Sequence, residues 1–442
     1  MTDLDAGAPL TEAQEGLWYA QRLQPDNPIF NTGQYLDLGG TLDVEALAGA
    51  VERASEEAES LSLRFVDGAQ GPRQRLDAAL RPRLRFIDLS NVDDPEQAAL
   101  TAIRHDMATP VDPMQGPMAR QTLYRLSATR HFWAQQVHHF AIDGYGMVLL
   151  TGRVAALYSQ FAGKEEAGEK AAGRPLGSLA GLLADDERYR HSAEREEHGR
   201  WWRQRLAGME EVVGMAPGRA ISAHGFHRFA DPLPAATRRQ LLTLAKDAGL
   251  NWPDVLTALV AAYCRRFSGT DEIVIGVPHM GRLAAAAARV PAMVMNVLPL
   301  RLAPDEEAPL ADYLRLVAAE TAEARRHGRY RSEQLRRDLG LIGGNRRLYG
   351  PLVNVQPYDR PPRMAGLEVS LHVTGTGPVE DIDFTFRGDA VHGLSIEVDA
   401  NPNLYSEAET MAHGRRLTEF LGHALQAARL ADVPTATAAE AD

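Results

Sequence analysis

The run His138-His139-Phe140-Ala141-Ile142-Asp143-Gly144 constrains this chain more than any other. Strand-like stretches at 119–126 and 131–138 flank Ser-Ala-Thr-Arg and predict a hairpin. Beyond Asp143, Met147, Leu150, Val154, Leu157 and Phe161 recur at helical spacing, so strand, turn and helix must follow in order. Neighbouring side chains on a strand face opposite sides, so His138 and His139 are expected in different surroundings, with only one of them reactive.

A helix beginning near Gly144 would present unpaired amide N–H groups beside the turn, which suits an anion. A neutral imidazole accepts a proton near neutral pH, and amide donors stabilise the oxyanion formed when a nucleophile adds to a carbonyl. The run therefore reads as an acyl-transfer site. Plainer readings stand beside it: Asp143 is well placed to cap the helix, and His138 to be a packed, hydrogen-bonded core histidine. A zinc site on His138, His139 and Asp143 is disfavoured, because adjacent strand histidines point apart and no Cys-x-x-Cys or His-Glu-x-x-His accompanies them. No metal is expected.

The 442 residues are 45% hydrophobic and 24% charged, the balance of a soluble chain long enough for two cores. Acidic side chains outnumber basic ones for a net charge of −12, which argues against nucleic acid or an anionic membrane as partner. The single cysteine, Cys264, lies among Leu259, Val260, Tyr263 and Phe267 and is expected in the core, and an internal disulfide is excluded. No apolar run reaches membrane-span length and the N-terminus is polar, so a cytoplasmic protein is expected.

The stretch 163–177, rich in Lys, Glu, Ala and Gly, reads as a linker, which sets the expected domains at 1–170 and 171–442 with a disordered tail over 434–442. A helix from Val44 leads to a strand near Leu63 and Phe65. A charged helix is expected over 185–206, and another from Asn251 as cap with Pro253 in its first turn. Strands are expected at 273–277 and 294–302 around an alanine-rich excursion, then a helix from Leu310 to Thr321. Further strands follow at 352–355, 367–373, 382–386 and 394–398.

Several separated segments together resemble the condensation domains of nonribosomal peptide synthetases, across nearly the whole chain. These are Leu10-Thr11-Glu12-Ala13-Gln14-Glu15-Gly16-Leu17-Trp18, the His138 to Gly144 run, Ile275-Gly276-Val277-Pro278-His279-Met280-Gly281-Arg282 with Met295-Asn296-Val297-Leu298-Pro299-Leu300-Arg301, His327-Gly328-Arg329-Tyr330, and Gly350-Pro351-Leu352-Val353-Asn354. The family's Arg-His-Glu cluster is missing before the early strand, where only Glu59, Leu61, Arg64 and Phe65 are in register. The segment 325–339 and the turn Gly377-Pro378-Val379-Glu380-Asp381 are similar to condensation domains that open catecholate-siderophore synthetases and receive an aryl acid.

The resemblance implies an α/β fold: two chloramphenicol-acetyltransferase-like sandwich halves in a V-shaped pseudo-dimer with a central tunnel. It implies donor and acceptor carrier proteins as partners, an adjacent adenylation domain as a candidate neighbour, and no cofactor of the chain's own, the substrates riding on the carriers' phosphopantetheine. By motif position, His139 matches the reactive histidine, His138 and Asp143 structural residues, and Arg282 the arginine of the other half that pairs with the aspartate. Asn354 matches a substrate-positioning asparagine, and Gly144 N–H is the candidate oxyanion donor. Two other functions stay in view: a coenzyme A or free-acceptor acyltransferase of the same superfamily, and a non-catalytic carrier-docking module.

Overall fold

The computed structural model describes all residues except 1–3, 5–6, 164–173, 210–211, 219–222, 283–286, 342–345, 359, 438–439 and 441–442. The chain forms two compact units. The first holds Met1–Ser192, Met280–Met295 and Pro361–Pro378, and the second holds Ala193–His279, Asn296–Arg360 and Val379–Asp442.

The first unit is built on a five-stranded sheet in the order Glu368–Thr376, Asn31–Gly39, Arg130–His138, Ala119–Arg125, Leu84–Asp88. All pairings are antiparallel except the last, which is parallel. The expected hairpin is present, closed by Leu126 and Ser127 N–H groups on the Arg130 carbonyl. Alternation along Arg130–His138 sends Trp133 and Val137 into a core with Leu36, Leu38 and the helices Val44–Glu57 and Gly144–Phe161. Phe132 instead packs with Tyr124, Ala99 and Ile103, beside the helix Pro95–Met107. One strand therefore serves two cores, which leaves its register no freedom.

The second unit carries a six-stranded sheet in the order Asn296–Leu302, Ile273–His279, Leu352–Gln356, Ile382–Asp389, Gly393–Ala400, His227–Pro232. The pairings of Leu352–Gln356 are parallel and the rest antiparallel. Its core is dominated by the apolar faces of Trp252–Ser268, Leu310–Arg326 and Glu407–Ala424. Cys264 lies fully buried there, and burial pushes its thiol pKa well up, so it is packing rather than a nucleophile.

Four expectations are corrected. The compact units divide at Ser192 rather than 170, because Leu176 N–H bonds Glu57 and Gly177 N–H bonds the Arg289 carbonyl, tying this stretch to the first unit. Residues 164–173 of the expected linker lie outside the described residues. The helix expected over 185–206 is two, Leu179–Arg190 and Ala193–Arg205, because Ser192 turns back to bond the Tyr189 carbonyl through both its N–H and its hydroxyl. Asn251 occupies the N-cap position but its side chain makes no capping bond. Within the expected disordered tail, Thr437 is buried and Glu440 accepts hydrogen bonds from Arg416 and the Thr437 N–H.

Candidate active site

The strand ends at His138, and Phe140, Ala141 and Ile142 carry the turn, all three fully buried. Apolar side chains therefore anchor the turn from inside. Asp143 follows as N-cap of the helix Gly144–Phe161, its Oδ1 accepting the Gly146 N–H at 2.8 Å.

The two imidazoles occupy different surroundings. His138 Nδ1 accepts the Phe140 N–H at 3.2 Å, which leaves Nε2 to donate to Gln21 Oε1 at 3.2 Å. Gln21 has no alternative orientation, since its amide NH2 donates to the carbonyls of Gln24 and Pro25. Burial, with the neighbouring His139 second, drives the His138 pKa down to about 3, so it is a neutral brace for the turn.

His139 is held by its own N–H on the Phe30 carbonyl at 2.8 Å, and the residue is 7% exposed. Its Nδ1 is buried without a hydrogen-bond partner. Burial lowers its pKa, opposed by the charge of Asp143 and by the backbone of Thr376, so the ring is neutral near neutral pH and can take up a proton. Gly377 closes over it: a Cβ there would lie 2.9 Å from His139 Cδ2.

Asp143 is fully buried and bonded at both oxygens. Oδ2 accepts from Arg282 Nη1 at 2.7 Å and from the Val294 and Met295 N–H groups at 3.0 and 2.9 Å. With Gly146 on the other oxygen, four donors hold the carboxylate, three of them on Oδ2. Burial alone would raise its pKa, but the Arg282 charge and these bonds hold it below the usual range. It is therefore unavailable as a base or a metal ligand. Arg282 also donates to the carbonyls of Met280, Val290 and Ala292, so one guanidinium folds its own loop and fixes it to Asp143. Although Arg282 was expected from the other half, its loop belongs to the first unit.

Gly144, the exposed first residue of the helix, contributes one of its leading N–H donors. Asn354 belongs to the second unit, on Leu352–Gln356 opposite Thr385. Among the described residues no group of three or more His, Cys, Asp or Glu gathers to hold a metal ion.

Sequence reading missed the supports. Thr11 and Gln14 form a capping box, and Gln14 Nε2 bonds the Phe140 carbonyl at 3.2 Å and Gln74 Oε1 at 3.0 Å, so the first helix braces the histidine turn. The Thr-x-x-Gln spacing was a readable signal for the cap, though not for the contact with Phe140. In the second unit, Asn296 Nδ2 donates to the Gly328 and Tyr330 carbonyls at 2.9 and 2.8 Å, which ties those two segments together.

The family model described as "Condensation domain" matches residues 6–440. A dimodular nonribosomal peptide synthase of Bacillus subtilis (strain 168) is 38% identical over 414 residues, covering 93% of this chain and 17% of that protein. Enterobactin synthase component F of Escherichia coli (strain K12) is 29% identical over 416 residues, covering 92% of this chain and 32% of that protein. The chain thus spans less than a third of either relative. A doubly substituted starter condensation domain of rhizomide synthetase, solved in complex with C8-CoA and Leu-SNAC, is similar with a TM-score of 0.88 and 31% identity over 97% of each chain.

Proposed function

The chain belongs to the condensation-domain family of nonribosomal peptide synthetases, amide-forming acyltransferases, and on that premise we propose how its own residues carry the reaction. Donor and acceptor carrier proteins present, on phosphopantetheine arms, an acyl thioester and an aminoacyl amine. The amine nitrogen adds to the thioester carbonyl, forming the C–N bond and an oxyanion; the C–S bond then breaks as the carbonyl re-forms, and the proton leaving nitrogen ends on the departing thiolate. His139 orients the amine and relays that proton. The Gly144 N–H faces the developing oxyanion, and Asn354 positions substrate. His138, Asp143 and Arg282 hold the turn. An adenylation domain is the neighbour such a domain works beside. Among the described residues no helix is long and apolar enough to cross a membrane.

The observation that carries this reading is the contrast within one motif. Asp143 is neutralised by Arg282 and bonded at both oxygens, whereas the His139 ring is neutral and its Nε2 edge lies against Gly377, which has no side chain to cover it. Only the histidine is chemically available. A single-turnover condensation assay with loaded donor and acceptor carriers tests it: His139→Ala should lose about 100-fold or more of the rate. Full rate in that variant would remove both its orienting and its relay roles. Robust turnover of acyl-coenzyme A with simple amines or alcohols, without carriers, would favour a free-acceptor acyltransferase. Carrier binding with no condensation for any substrate would favour a docking module.

For the donor, an aryl acyl group is our first reading, supported by the turn at Gly377 and the similarity to the enterobactin component. An alkanoyl donor is the second, favoured by the C8-CoA bound to the rhizomide domain. Competing aryl and alkanoyl carriers in the same assay would rank them.

A further inference from the structure

The strand Glu368–Thr376 enters the first unit from far down the chain and pairs with Asn31–Gly39, its register shifting between Val373 and Gly375. Its continuation, Gly377-Pro378, lies against the His139 ring. Gly377 is buried with φ +106°, where a side chain is strained, and a Cβ would stand 2.9 Å from His139 Cδ2 and 3.1 Å from Nε2. The first is shorter than unbonded carbon atoms tolerate and the second is tight, so the ring would have to shift. The edge that Gly377 touches includes Nε2, the nitrogen opposite the buried Nδ1. Pro378 narrows the conformations open to Gly377 and so keeps this wall in place.

We propose that Gly377 is a positioning residue for His139: the absent side chain leaves the imidazole the one placement in which Nε2 can meet the acceptor amine. The inference rests on the reading of His139 as the group that handles that amine. The late strand thereby sets the geometry of a histidine more than 200 residues earlier in the chain.

Gly377→Ala tests this in steady-state condensation with loaded carriers as varied substrates. The expected result is a kcat about 10- to 100-fold lower, with KM for both carriers within about twofold of wild type. In histidine-labelled protein the His139 ring resonance, identified by its absence from His139→Ala, should shift while that of His413 in the other unit stays. Pro378→Ala, which keeps glycine but loosens the wall, should lower kcat in the same direction and serves if Gly377→Ala does not fold. Unchanged kcat in the variant that folds, a loss confined to KM, or a lost rate with the His139 resonance in place would each overturn the proposal. Wild type without any carrier-dependent turnover would instead defeat the underlying functional reading.

Discussion

Asp143→Asn keeps the size of the side chain but removes the charge that Arg282 faces in the interior. A buried guanidinium left with carbonyls alone should cost about 3–5 kcal/mol, measured by urea unfolding, and activity should fall in step with stability. An inactive variant with unchanged melting would mean that Asp143 has a chemical role. Combining Asp143→Leu with Arg282→Met should cost less than the two single changes added together, because no lone charge remains. At this scale the sequence allowed two readings of Asp143, cap and ion-pair partner, and both hold, with one oxygen given to each. Gln21 was not legible, because nothing local marks a glutamine whose partner, His138, lies 117 positions away.

The first helix, Glu12–Leu23, is a brace whose strength depends on its start. Thr11→Ala removes the capping box and should lower stability by about 1 kcal/mol in thermal or urea unfolding. Gln21→Leu leaves the His138 Nε2–H without an acceptor inside the protein and should cost about 1–3 kcal/mol, with a matching loss of condensation rate as the turn relaxes. Elements with strong periodicity were legible: the hairpin, the helix after Asp143 and the strand at Ile273 all stand where the pattern put them. The break at Ser192 was not, because charged residues run up to it from both sides and the stop comes from a serine bonding back to Tyr189 rather than from glycine or proline.

For the whole molecule, His138 yields a pH prediction. Its folded pKa of about 3 lies below the ordinary histidine value of about 6.5, so the unfolded chain binds the proton first as pH falls. The stability it contributes as a neutral ring is fully present above about pH 6.5 and is lost between there and about pH 3. The cost of His138→Gln should therefore be greatest above that range and shrink as the solution is acidified, which urea unfolding at a series of pH values would show. Reading the difference between the two proteins cancels the buried carboxyls Asp381, Asp383 and Asp399, whose raised values act with the opposite sign.

The division into units was the least legible property. Composition marks linkers between contiguous stretches, whereas here the chain changes unit after Ser192, His279, Met295, Arg360 and Pro378. The membership of Arg282 was hidden for the same reason. This interleaving also orders events on the ribosome. The sheet of the first unit lacks its outer strand until Glu368–Thr376 has emerged, so until then Asn31–Gly39 presents a bare edge to other nascent chains. A gene shortened to end before Pro361 would make that transient edge permanent, and its product should aggregate where the full chain does not.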